Sequence, residues 1–164
     1  MNRLSSVKIG FVLFSMGAVS GCSGEPPIEK AILGTWVQET PTSTTSSGVQ
    51  TLTTDTVLRL KKNGETHLTR NLDITGPGLP ESGIRVSVDL KGEWALTNGQ
   101  LTQTPSQVII LPIDTDSNTR DWADKLQSQA ERSPTSNKTV ISADKKQLIL
   151  QDLDTGTTDV YIRK

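Results

Sequence analysis

Residues 84–96, IRVSVDLKGEWAL, alternate apolar and polar side chains along their whole length. Ile84, Val86, Val88, Leu90, Trp94 and Leu96 fall on one face. Arg85, Ser87, Asp89, Lys91 and Glu93 fall on the other, and Gly92 occupies a place in the apolar row. Successive side chains of a strand point to opposite faces, so this period of two specifies an extended strand with one buried face. A strand this long with a glycine inside it is expected to bend sharply, as barrel strands do.

The rest of the chain is organised around that strand. AILGTWVQET (31–40) reads as a first strand, and PTSTTSSG (41–48) as a polar, low-complexity loop. Two extended runs flank Asn63-Gly64 within residues 54–74, a strong hairpin signal. GPGLPESG (76–83) is a second loop, its prolines unable to join a ladder. Asn98-Gly99 turns the long strand into QLTQTPSQVIILP (100–112). The period then changes over residues 117–133. Trp122, Leu126 and Ala130 lie four apart beside Ala123, the stripe of one amphipathic helix. KTVIS (138–142), QLILQDL (147–153) and TTDVYIRK (157–164) close the chain as strands, with Asp154-Thr155-Gly156 as a turn. About eight locally connected strands and one inserted helix predict an all-β, antiparallel up-and-down barrel, which buries one face of each strand and leaves no free edge.

The N-terminus has a different logic. MNRLSSVK carries two basic residues and no acid, and IGFVLFSMGAVS (9–20) is apolar or small. Such a run is a secretory signal, and at about 1.5 Å per helical residue it is too short to span a bilayer core of about 30 Å. Val19-Ser20-Gly21-Cys22 resembles the bacterial lipobox. The resemblance implies that residues 1–21 are removed as a lipoprotein signal peptide and that Cys22 becomes the site of lipid attachment. Multiple acyl chains give stable anchoring where one is marginal. Residues 22–29 would form a lipidated tether and residues 30–164 the barrel. Ser23 stands where inner-membrane lipoproteins of this type carry Asp, which implies the outer membrane, with the periplasmic face favoured over the cell surface.

Once Arg3 and Lys8 are removed, the formal charge of −1 becomes −3. No clustered basic face is present, so nucleic acid is not an expected partner. Cys22 is the only cysteine and His67 the only histidine, so neither a disulfide, a histidine-based triad nor a multi-histidine metal site is expected, and no cofactor is implied.

ILGTW (32–36) resembles the G-x-W that opens lipocalins and the small bacterial lipocalin-like domains. LKKNGE, LKGEWALTNGQLT and the closing strand pair that ends in Tyr161-Ile162-Arg163 follow in the same order. The resemblance covers roughly residues 30–164, with 113–135 as an insertion. It implies that Trp36 packs across one end of the barrel with Arg163 over its ring, a structural pair. Trp94, in the apolar row of the long strand, is expected to belong to the core.

Other candidate chemistry is thin. Asp154-Thr155-Gly156 matches the aspartic-protease tripeptide but lies between two strands near the C-terminus, where the same residues are ordinary turn formers. Asp114-Thr115-Asp116-Ser117-Asn118 starts like a calcium loop, yet Thr119 and Lys125 occupy the positions that need Gly and Glu. His67 alternates outward. Arg70 shares parity with Leu68, Leu72 and Ile74, which puts a guanidinium on the presumed inner face. It is either a rim residue with its head in water, a sign of a parity-resetting bulge, or an anion-binding group at the barrel mouth. Trp122 is expected to pack its helix onto the barrel.

Without catalytic constellations, the expectation is a non-enzymatic, lipid-anchored envelope binding module. One version binds an envelope protein through loops 41–48 and 76–83 and the 117–132 helix. The other carries a small apolar or anionic ligand in the barrel mouth. The scarcity of aromatics favours the first, since the mature chain retains only Trp36, Trp94, Trp122 and Tyr161. Aliphatic rows at 58–60, 68–74, 84–90 and 148–150 are expected to fill a narrow barrel, leaving room for at most a small ligand.

Overall fold

A computed structural model describes residues 27–130 and 135–164; Cys22 and the signal segment lie outside them. The chain runs α1 (Ile28–Ala31), β1 (Gly34–Gln38), β2 (Thr42–Ser46), β3 (Val49–Leu60), β4 (Glu65–Thr75), β5 (Ile84–Thr97), β6 (Gln100–Pro112), α2 (Ser117–Ala130), β7 (Ser136–Ala143), β8 (Gln147–Asp152) and β9 (Thr158–Arg163). Every pairing is antiparallel and nearly all are between neighbours in sequence. The sheet order is β1-β9-β8-β7-β6-β5-β4-β3-β2, and a β1–β3 pairing closes it. Eight strands therefore form a closed, lipocalin-like up-and-down barrel, with β2 outside the ring.

The closure depends on β3 changing partner. Its residues 57–60 pair with β1, while residues 49–53 pair with β2. β1 and β2 thus act as one strand broken around Pro41, which has no N–H to contribute. Opposite the break, the β3–β4 register slips between Thr54 and Val57. Residues 41–48 are accordingly a hairpin arm, which corrects the loop expected there. The threonine run is β-branched and finds an unpaired edge on β3. Ser47 (φ 50°) and Gly48 (φ 80°) supply the two left-handed residues that a two-residue turn into β3 needs.

The long strand β5 pairs with β4 along residues 84–93 and bends where its register with β6 shifts at Lys91/Gly92. Only glycine fits there, because a Cβ on Gly92 would stand 2.1 Å from the Thr104 carbonyl oxygen. β7 covers just Gln100–Gln103 of β6, so the rest of that strand, paired with β5 on one edge, lacks a strand partner on the other. Helix α2 takes the place. Gln127 accepts from the Ile110 amide at 2.7 Å and donates to the Val108 carbonyl at 2.7 Å, as a paired strand residue would. Asp116 caps the helix through the Thr119 amide and hydroxyl.

The interior divides into two apolar layers. The lower one comprises Ile32, Trp36, Leu58, Leu60, Leu101, Val140, Leu148, Leu150 and Tyr161, with Ile28 packed against it. Ile28 belongs to the residues expected to form the tether, so the folded unit starts slightly earlier than the sequence suggests. The upper layer joins Ile74, Ile84 and Val86 to Ala123, with Trp122 and Leu126 packed alongside. At the lower end Arg163 lies over Trp36, its Cζ 4.1 Å from the ring centroid. Its guanidinium donates to the carbonyls of Leu33 (2.6 Å), Ala31 (2.7 Å) and Lys145 (2.9 Å). Gly34, at φ 138°, leaves the space this guanidinium occupies. One arginine thus ties α1, β1 and the β7–β8 turn into a closed floor. Trp94 differs from the core position expected of it. It is half-buried at the edge of the lower layer, with its indole N–H donating to the Lys61 carbonyl at 2.9 Å.

Candidate functional site

Between the two layers the aliphatic packing stops. A cavity of about 440 Å³ opens towards the end opposite the Arg163 floor. This is within the range of small-molecule sites. The leucines anticipated along the inner rows are present, with Leu58, Leu68, Leu72 and Leu90 lining one side. The room exists because the rows turn polar beyond them. Thr51, Thr53 and Thr56 on β3, Thr42 and Thr44 on β2, and Lys138 and Asp159 from the opposite wall replace hydrocarbon with short or charged side chains.

Arg70 enters this space from β4, where its inner-face neighbours are Leu68 and Leu72 and its cross-strand partner on β5 is Val88. Its Nε is sealed from solvent without a hydrogen-bond partner, and among the described residues no hydrogen bond or ion pair to its guanidinium is found. Burial pushes its pKa down from the ordinary arginine value, and the nearby Tyr161 and Asp159 push it back. Tyr161 responds in the opposite sense. Burial, reinforced by Asp159 and opposed by Arg70, raises its pKa, so the phenol stays protonated.

The other cation is already matched. Lys138 Nζ lies 2.6 Å from Asp159 Oδ2, both side chains largely buried, and Gln38 donates to Asp159 Oδ1 at 3.3 Å. Asp152, at the rim, is occupied in holding the β8–β9 turn through the amides of Asp154 and Thr155. The cavity therefore holds one guanidinium whose charge no side chain among the described residues pairs directly.

A second unpartnered buried atom, the hydroxyl oxygen of Thr56, belongs to another residue of the cavity lining. The β-bulge accounts for its position. Thr54 pairs with Asn71 and Val57 with Thr69, so the extra residues Asp55 and Thr56 stand opposite Arg70. Asp55 adopts φ 50°, a conformation rare outside glycine, and Asn71 holds it by donating to Oδ2 at 3.0 Å. Bulges redirect side chains in this way. Here the redirected residue is Thr56, which is buried beside Arg70.

The remaining singled-out residues lie elsewhere. His67 is on the outer wall, between Asp89 (2.9 Å) and Arg59 (3.4 Å). Asp154-Thr155-Gly156 is the β8–β9 turn. Trp36 and Arg163 form the floor, and Trp94 lies at its edge. Among the described residues no three His, Cys, Asp or Glu side chains gather as a metal site would require. Sequence reasoning missed Lys138, Asp159 and Thr56. Asp159 shares parity with the buried Tyr161, a signal that was available; Thr56 carried none, because a bulge resets parity. The sequence matches no protein-family model and no curated protein.

Proposed function

We propose that the protein is a lipid-anchored, non-enzymatic binding module of the bacterial envelope that holds a small anionic molecule in its barrel. The observation carrying this reading is the Arg70 guanidinium, placed in a cavity of about 440 Å³ without a hydrogen bond or ion pair from the described residues. Arg70 is half-buried with its Nε sealed; desolvating a charge is costly unless it is paired, and a sealed donor without a partner calls for an explanation. A ligand carboxylate or comparable anion would supply the missing partner through charge-assisted bonds.

The anchor fits the same picture. Cys22 precedes Pro27 by five residues, a contour of at most about 18 Å. The chain enters the barrel at the Arg163 floor, so a lipid on Cys22 would hold that end near the outer membrane and leave the mouth facing the aqueous side. Such an orientation suits capture of a water-soluble molecule. Binding of an envelope protein through helix α2 is less favoured, because Trp122, Ala123, Leu126 and Gln127 already serve to cover β6 and the upper apolar layer.

Native mass spectrometry of the full-length protein extracted in mild detergent tests the ligand reading. A small acid should accompany the wild type and be missing from Arg70→Met. Equal spectra, with no added carboxylate binding to either form, would remove it. Metabolic labelling with palmitate tests the anchor, since Cys22→Ser should abolish incorporation and leave an uncut precursor.

A further inference from the structure

The cavity's polar groups are arranged unevenly, and the unevenness restricts the ligand. Arg70 lies midway along the barrel among Leu68, Leu72, Val88 and Leu90. Thr56 stands across the β3–β4 ladder from it. Towards the mouth the lining changes to the hydroxyls of Thr42, Thr44, Thr51, Thr53, Thr155 and Thr157. A fatty acid would meet this site in the wrong order, because its charged end would have to lie deep and its alkyl chain against the threonines.

Charge sets a second limit. Lys138 is committed to Asp159, and Asp152 adds a further carboxylate at the rim, so among the described residues Arg70 is the one lining cation without a paired acid. It can compensate one negative charge. A second charge on the ligand would face two carboxylates with no cation left to offset it.

The atom types set a third. A guanidinium only donates, and its planar fork matches a carboxylate bidentately. The Thr56 hydroxyl can both donate and accept, so it suits a hydroxyl of the ligand next to that carboxylate. Resting on the anion-binding reading above, we infer that the ligand is a small hydroxylated monocarboxylate, its carboxylate on Arg70, a neighbouring hydroxyl on Thr56 and its remaining hydroxyls along the threonine-lined mouth. The bulge at Thr54/Val57 is the specificity device, because an unbroken β3–β4 register would leave Arg70 without this hydroxyl beside it.

Calorimetric titration of the full chain in detergent with matched probes tests the assignment. Quinate and cyclohexanecarboxylate share a ring and a carboxylate and differ only in hydroxyls. Quinate should bind at least about fivefold more tightly, the loss associated with one neutral hydrogen bond. Thr56→Val should shrink that ratio while leaving cyclohexanecarboxylate unchanged. Arg70→Met should weaken both by about tenfold or more, and Arg70→Lys should recover only part of the loss. Tighter binding of cyclohexanecarboxylate, of octanoate or of the dianion glucose 6-phosphate, each dependent on Arg70, would overturn the hydroxy-acid assignment and leave the anion site standing. Failure of every carboxylate to bind, with no response to Arg70→Met, would overturn both.

Discussion

Replacing Arg70 by methionine should make the ligand-free protein more stable. The guanidinium sits in a desolvated setting with its Nε sealed and unpartnered. Leaving one buried donor unsatisfied costs about 1–3 kcal/mol, and a charge raises the figure. Methionine keeps an unbranched apolar stem against Leu68 and Leu72 and removes that cost. The opposing loss is the attraction of Arg70 to Asp159, which is reduced because Lys138 already neutralises the same carboxylate at 2.6 Å. The net effect should be a gain of about 1 kcal/mol, or about 3 °C in Tm for a domain of this size. Arg163→Met provides the contrast within the same barrel. It removes four hydrogen bonds to carbonyls, the longest of them to Asp144, and the stacking on Trp36, and should cost about 3 kcal/mol. Urea unfolding of both variants without ligand at neutral pH reads the two signs directly. A loss of more than about 1 kcal/mol in Arg70→Met would mean that the wild-type guanidinium has a structural partner, and the argument for a vacant anion site would fail.

The two tryptophans of the lower layer should separate in the same assay. Trp36→Ala, at a fully buried site, should cost about 3–5 kcal/mol, and Trp94→Ala, at the half-buried edge, about 1–2 kcal/mol; equal losses would contradict their placement. Gln127→Ala leaves the Ile110 amide and Val108 carbonyl without their partner and should cost about 2 kcal/mol, with faster hydrogen exchange at Ile110 as the local readout. Acidification should destabilise the fold. Hydrogen bonds from the Thr119 hydroxyl and amide lower the pKa of Asp116, and those from the Lys146 and Gln147 amides lower that of Asp144. Because these folded-state values lie below the unfolded ones, their contribution is complete above about pH 5 and fades as pH falls through and below about 4. Urea midpoints measured from pH 7 to pH 3 should therefore be level at first and then drop, and a rise on acidification would reverse the assignment.

What could be read from residues one stretch at a time was read correctly where the information is local. The alternation in 84–96, the Asn63-Gly64 and Asn98-Gly99 turns and the four-residue spacing of Trp122, Leu126 and Ala130 each specify an element through a period of the backbone. Their sequential order is enough to suggest an up-and-down barrel, and parity alone put Arg70 on its inner face. Pairing is a different kind of information. The run at 41–48 has the composition of a loop and becomes a strand only because β3 offers it an edge beyond the reach of β1. Glutamine at 127 is unremarkable in a helix until β7 ends short and leaves one edge of β6 open. The site itself depends on this non-local level. Thr56 meets Arg70 through a bulge, which inserts residues into one strand and cancels the parity that sequence reasoning counts. Lys138 and Asp159 meet over the intervening strand β8, through a register that neither β7 nor β9 encodes alone. A period of two determines which side of its own strand a residue faces, while tertiary pairing decides what stands opposite, and the charge left over at Arg70 is a property of that second arrangement.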